Sequence, residues 1–183
     1  MKKSILTAIF AMAMVLSAGA QEHKWFIGGE AGFWSAKGNY HYLPDVKTTQ
    51  IIISPEIGYN VSDKFSVAAS LSYQNTKFDE YAYYNKDGFI INPYVRYTFL
   101  KSGIVSAFID GGAIFGLSDI KGFEAGISPG VAIALSNRFS AVAHFGFLGY
   151  NDGKGVGNYS VVGKGFSLDF SGYQSQFGFY YSF

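Results

Sequence analysis

The chain has 183 residues and no composition break of the kind that marks a linker, so it is expected to fold as one unit with little room for a second domain. It contains no cysteine, which excludes a disulfide framework and a lipidated amino-terminal cysteine, and its formal net charge of +1 leaves no basic footprint for nucleic acid. With 23 glycines, 14 tyrosines, 18 phenylalanines and little leucine, the composition suits alternating strands and opposes long amphipathic helices.

The amino terminus stands apart. Lys2 and Lys3 precede an apolar run from Ile5 to Leu16, and Ala18-Gly19-Ala20 supplies small residues before Gln21. This pattern predicts a cleaved secretory signal peptide over 1–20 and a mature domain over 21–183. Removing Lys2 and Lys3 takes two of the 14 basic residues and none of the 13 acidic ones, so the remainder is net acidic by one. The apolar run is shorter than the roughly 20 residues a spanning helix needs. No second run of that kind follows, so any membrane span must be built from strands.

Eight strands are predicted. The first, 24–35, groups Glu30 with Gly28 and Gly32, opposite Trp25, Ile27, Ala31 and Phe33; the second, 49–60, groups Glu56 with Gln50, Ser54, Gly58 and Asn60. In the third, 65–75, Phe65, Val67, Ala69, Leu71 and Tyr73 oppose Ser66, Ala68, Ser70, Ser72 and Gln74. The fourth, 88–99, sets Phe89, Ile91, Pro93, Val95, Tyr97 and Phe99 against Asn92, Tyr94, Arg96 and Thr98. The fifth, 104–115, carries Asp110 between Ile109 and Gly111. The remaining three, 123–135, 139–149 and 166–183, add Glu124, His144, Gln174 and Gln176 to the polar side.

Short and long connections alternate between these strands. The short ones are Val61-Ser62-Asp63-Lys64, Leu100-Lys101-Ser102-Gly103 and Ser136-Asn137-Arg138; the long ones run over 36–48, 76–87, 116–122 and 150–165. Tight turns on one side and long loops on the other are the pattern of an up-and-down membrane barrel. A weak repeat, Ile53-Ser54-Pro55, Ile91-Asn92-Pro93 and Ile127-Ser128-Pro129, precedes each short turn. A proline donates no ladder hydrogen bond and a closed barrel has no free edge, so local bulges are expected at these sites.

The alternation fits two inversions. In a soluble sandwich or lipocalin the bulky apolar face would be the core; in a membrane barrel it would meet lipid, and the charges would point inward. The export pattern, the aromatics near strand ends and the terminal run Phe177-Gly178-Phe179-Tyr180-Tyr181-Ser182-Phe183 favour the second. An eight-stranded antiparallel transmembrane β-barrel is therefore the expected fold, all-β, with an interior just wide enough for its own side chains. A buried charge needs a partner. Glu30, Glu56, Arg96, Asp110, His144 and Gln176 are expected to form a lumen network, with Glu30, Glu56 and Arg96 at one height and Asp110, His144 and Gln176 in a layer above. Arg96 should bridge Glu56, Glu30 or Asp110, as a self-satisfied plug rather than an ion path.

Over its whole mature length the chain resembles the small outer-membrane β-barrel family that includes the OmpX-like and OmpA-transmembrane-domain-like proteins, many of them grouped with the porins. Phe183 as last residue, with Phe179 and Tyr181 at alternate positions before it, is similar to that family's signal for the barrel-assembly machinery. The resemblance implies residence in the cell outer membrane of a Gram-negative envelope, with outer-membrane lipids and that machinery as partners. The final strand departs from the pattern: continuing the outward register back from Phe183 reaches Ser175, Ser171 and Asp169, so a bulge near Gly172 or a rise above the lipid is expected.

Chemistry is less legible. Some barrels of this architecture modify lipid A, and His41 with Asp45 sits where an outer-leaflet site would have to be, but a fold alone confers no chemistry. His144 has no serine-carboxylate pair in register, His23 suggests nothing, and no metal-ligand spacing occurs. The glycine-rich stretch Asn151-Asp152-Gly153-Lys154-Gly155-Val156-Gly157 lacks the ending of a phosphate-binding loop. Tyr40 and His41 on the first long loop, and Phe78, Tyr81, Tyr83 and Tyr84 on the second, are candidate contacts for a protein or glycan; the plainer reading is a hairpin tip extending strands three and four. A non-enzymatic barrel serving envelope integrity or surface interaction, without cofactor, is the first expectation. A lipid-modifying enzyme and a narrow porin-like channel are the alternatives.

Overall fold

A computed structural model describes residues 24–40, 43–79, 85–117, 120–152, 164–170 and 175–183, the side chains of 38–40 and 43–45 excepted. The signal segment 1–20 and His23, His41, Tyr81, Tyr83, Tyr84 and Gln174 lie outside the described residues. The strands are β1 (Trp25–Tyr40), β2 (Leu43–Asn60), β3 (Phe65–Phe78), β4 (Lys86–Ser102), β5 (Val105–Gly116), β6 (Phe123–Ala134), β7 (Phe139–His144), β8 (Phe147–Asn151), β9 (Gly165–Asp169) and β10 (Gln176–Ser182). Neighbours pair antiparallel from β1 to β6; β7 and β8 both pair with β6, β9 with β8, β10 with β7, and β10 returns to β1 through Gly28↔Tyr180. The ten segments are thus eight staves of a closed antiparallel barrel.

The alternation falls as expected, and the apolar side is outside. Phe65 is 46% exposed, Val67 44% and Leu71 48%, while Arg96, Asp110 and Glu30 are each 7% exposed or less. A protein in water would pay heavily for this inversion; hydrocarbon demands it. The exterior band is bounded by two aromatic belts. At the turn end Trp25 packs on Tyr59, Phe65 on Tyr97 and Phe139 on Phe179; at the loop end Tyr73 packs on Phe89, Phe115 on Phe123 and Tyr150 on Phe166. From Phe65 to Tyr73 is eight residues, about 26 Å along a strand and about 20 Å of height at a tilt of ~40°. That is close to the apolar band of a membrane barrel.

Several boundaries differ from the sequence reading. The 36–48 segment is mostly ladder, because β1 and β2 stay paired up to Tyr40↔Leu43. Likewise β3 and β4 run on to Thr76↔Lys86, so the connection shrinks to 79–85. Above the lipid the outward face is wet and carries polar residues too, so the hydropathy alternation fades while backbone pairing continues; Ser35 and Thr49, with hydroxyls 3.1 Å apart across the β1–β2 ladder, illustrate it. The third difference is the turn after β4. Ser102 pairs with Val105, so only Gly103 and Ile104 turn, with Gly103 at φ +58°, a conformation glycine accepts without a Cβ penalty. The turn at 61–64 stands as read, the one read as 136–138 also takes in Leu135 because β6 ends at Ala134, and both share one device: the Ser62 hydroxyl accepts from the Phe65 amide at 3.1 Å and the Ser136 hydroxyl from the Phe139 amide at 3.1 Å.

The seventh and eighth staves are each broken. Odd residues face outward in β7 and β10, yet even residues (Leu148 in β8; Phe166 and Leu168 in β9) do so beyond the breaks. The first parity change is a bulge at Phe145–Gly146, with Gly146 at φ +81°, where the β6 register moves by one residue between Gly130↔His144 and Ile127↔Leu148. The second separates outward Phe170 from outward Phe177; Gly172, where a bulge was expected, lies outside the described residues.

The bulge explains one proline and not the other two. Pro129 offers its carbonyl to the Phe145 amide at 3.1 Å, so its missing N–H faces the gap the bulge already opens. At Pro55 and Pro93 there is no bulge. The β2–β3 ladder omits Ser54 and Pro55, and the β4–β5 ladder omits Asn92 and Pro93, with register unchanged on either side. Each of these two prolines costs a local interruption of the ladder rather than an extra residue.

Candidate functional site

The lumen is filled in layers. At the turn end Phe26, Phe108, Val142 and Tyr180 pack together with Ala68 and Ala132 against them, and Phe108 is 1% exposed. Glycine makes the space: a Cβ on Gly58 would meet the Phe26 ring, and one on Gly130 the Phe108 ring. This apolar layer blocks the bore from below.

On it rests the ion cluster. Arg96 and Asp110 are direct cross-strand partners, and the guanidinium grips the carboxylate with two bonds, Nε to Oδ1 and Nη2 to Oδ2, both 2.8 Å. The same guanidinium lies over the Phe108 ring, 3.8 Å from its centroid. Its Nη2 also reaches the hydroxyls of Tyr94 at 3.2 Å and Tyr180 at 3.1 Å. Those phenols pass the contact on: Tyr94 donates to Glu56 Oε1 at 2.6 Å and Tyr180 to Glu30 Oε1 at 3.1 Å. His144 closes the ring, with Nε2 2.7 Å from Asp110 Oδ2 and Nδ1 2.7 Å from Glu30 Oε1. The Nε2 contact is a hydrogen bond, whereas Nδ1 meets Glu30 as an ion pair without hydrogen-bond geometry.

Five of the six expected lumen residues therefore meet in one cluster, while Gln176, opposite His144 in the ladder, lines the cavity above it. The two expected layers are one. Arg96 bridges Asp110 directly, Glu56 through Tyr94, and Glu30 through Tyr180 and through His144, whose Nε2 lies 3.2 Å from Arg96 Nη2. Tyr180 is the residue sequence reasoning missed, although its parity, opposite to Phe179 and Tyr181, places a phenol on the polar face. Phe179 and Tyr181, at 55% and 39% exposure, face outward, and Phe183 donates its amide to the Trp25 carbonyl at 2.9 Å. Phe78 is not a surface contact: it continues the inward parity of β3 and is 6% exposed. Tyr40 ends β1 beside Leu43.

Above the cluster is a cavity of about 110 Å³ with Ser54, Ser70 and Ser72 on its polar wall, and Ile90 and Ile114 near its roof. Ile90, Ile114 and Ile120 then pack together. Higher still, Thr76 donates to Gln50 Oε1 at 3.2 Å. Glu124 is fully buried opposite Asn151, and neither carboxylate oxygen has a hydrogen-bond partner among the described residues. Among the described residues no group of three or more His, Asp or Glu side chains is arranged to hold a metal ion.

No known family model and no curated protein matches the chain. Among solved structures it is similar to Neisserial surface protein A (NspA), at 15% identity and a TM-score of 0.49, over 88% of this chain and 98% of that one. It is also similar to an outer-membrane channel from Pseudomonas putida, at 11% identity and a TM-score of 0.43, over 90% of this chain and 97% of that one.

Proposed function

We propose that this chain is a non-enzymatic outer-membrane β-barrel, exported by a cleaved signal peptide, that contributes to envelope integrity or surface interaction through its loop-end hairpins. The observation that carries the reading is the filled bore inside an apolar exterior: the Arg96–Asp110–His144 cluster seated on Phe26, Phe108, Val142 and Tyr180. A bore closed in this way supports a plug and opposes a diffusion path. Catalysis at His144 is opposed by the same contacts, since both ring nitrogens face carboxylates and neither is offered to a serine. Partners follow from position. The outward Phe179 and Tyr181 suit the barrel-assembly machinery, the belts suit outer-membrane lipids, and the β1–β2 and β3–β4 hairpins, which rise past the loop-end belt, offer a surface to a protein or glycan.

The test combines fractionation with planar-bilayer recording of the purified protein and mass spectrometry of lipid A from cells with and without it. Recovery in the outer membrane, silent bilayers and unchanged lipid A are expected. Steady conductance would favour the channel, and altered acylation the enzyme.

A further inference from the structure

Counted with all three carboxyls ionised, the cluster is short of one positive charge. Glu30, Glu56 and Asp110 face Arg96 and His144, so one carboxylate stays unbalanced even with the imidazole doubly protonated. The geometry identifies which: among the described residues Glu30 and Asp110 contact the imidazole and Asp110 the guanidinium, whereas Glu56 forms no ion pair and is held by the Tyr94 phenol. Glu56 also lines the cavity. Two residues earlier on the same face of β2, Ser54 lines it too; Ser54 is 5% exposed, and its hydroxyl oxygen has no hydrogen-bond partner among the described residues. A buried hydroxyl left unpartnered beside an unbalanced carboxylate is a site waiting for a donor that carries charge.

The rest of the wall narrows the class. Ser70, Ser72, Asn92 and Ser128 add neutral polar groups, Ile52, Ile90 and Ile114 give an apolar stretch, and among the described residues no group of three or more His, Asp or Glu side chains is arranged to hold a metal ion. About 110 Å³ takes a few heavy atoms, since one water occupies about 30 Å³ in the liquid. We propose that this cavity binds a small primary alkylammonium ion, its N–H groups donating to the Glu56 carboxylate and the Ser54 hydroxyl and its short alkyl chain lying against Ile52, Ile90 and Ile114. The ligand supplies the missing charge, so binding also completes the plug. The proposal rests on the sealed lumen argued above, and bilayer recording tests that part separately: a conducting barrel would remove the plug whatever the ammonium result.

The probe is n-butylammonium chloride, compared with sodium and N-methylglucamine chlorides at equal ionic strength, on the full barrel in nonionic detergent. Unfolding is followed by the gel-mobility difference between heated and unheated samples, and contact by saturation-transfer NMR on the butyl protons. At about ten times Kd the midpoint should rise by about 3–5 °C in butylammonium alone. Glu56→Gln, still folded by gel mobility, should show no rise. Ser54→Ala should match the parent protein in N-methylglucamine, where its hydroxyl has nothing to lose, and need several-fold more butylammonium for the same shift. An equal midpoint in all three salts, an equal rise in sodium, or an undiminished response of Glu56→Gln would each overturn the proposal.

Discussion

Replacing Arg96 with leucine tests the lumen most directly. The Arg96–Asp110 pair has both side chains 8% exposed and two bonds of 2.8 Å. With charge centres ~4 Å apart and an effective dielectric of ~20, the attraction is about 4 kcal/mol. Desolvation offsets much of that while the pair is intact, but cutting out one partner strands the other, at a typical cost of ~3–5 kcal/mol. Asp110 keeps His144 at 2.7 Å, so Arg96→Leu should fall at the lower end, about 3 kcal/mol. Adding Asp110→Leu removes the stranded carboxylate, and the double variant should recover about 2 kcal/mol relative to the sum of the single ones. Lys47 and Asp79 supply the control: 3.6 Å apart and more than half exposed, they should lose no more than about 0.5 kcal/mol when Lys47 becomes alanine. The assay is urea unfolding of the barrel in lipid vesicles, read by tryptophan fluorescence. An Arg96→Leu variant as stable as the Lys47→Ala control, or strictly additive losses in the double variant, would refute the cluster as a unit.

Three further substitutions, two of them with controls, probe the wall, the turn-end layer and the upper lumen in the same assay. Ala69, midway between Phe65 and Tyr73 on the outward face, should cost ~2–4 kcal/mol as arginine if that face meets hydrocarbon, whereas Val61→Arg in the exposed 61–64 turn should cost at most ~1 kcal/mol; equal effects would contradict a membrane span between the belts. Gly58→Ala forces the Phe26 ring aside and should cost about 1–3 kcal/mol, while Gly111→Ala, whose new methyl would meet only Ile127 Cγ2 at 3.8 Å, should be neutral within ~0.5 kcal/mol. Glu124→Leu removes a buried carboxyl with no partner among the described residues and should raise stability by about 1–3 kcal/mol; a loss would mean that the carboxyl does useful bonding.

Which residues point inward was legible, because a strand's side-chain period is two and the membrane enforces it on every stave. Which inward residues meet was less so, because that depends on register, and register depends on turns. Counting Arg96 and Asp110 from a four-residue turn put them in different layers. The turn is two residues long, and the β4–β5 register shifts by one between Thr98 and Leu100, which brings them onto one rung. The break in stave seven was hidden for a related reason. At Gly146 one inserted residue inverts the parity of all that follows, so a strand read through from Phe139 to Gly149 assigns Phe147 to the wrong face; it is 6% exposed. Phe78 was misplaced by hydropathy, since an aromatic near a hairpin tip looks like a contact until the ladder is known to reach it.

The cluster also bears on how such a wall finds its register. An apolar lumen inside an apolar exterior would leave each strand without a preferred side, and a slip of one residue would exchange two similar faces. Charges prevent that. Sliding β4 by one residue against β5 sets Arg96 opposite Ile109 or Gly111 in place of Asp110, and turning the strand over drives the guanidinium into hydrocarbon. The tyrosines extend the constraint around the bore: Tyr94 ties β4 to β2 through Glu56, Tyr180 ties β10 to β1 through Glu30, and His144 ties β7 to both Glu30 and Asp110. Six staves are thus keyed to one guanidinium and one imidazole, with the ladder interrupted at Pro55, Pro93 and Pro129. Where the backbone gives up pairing, polar side chains across the lumen hold the staves in alignment.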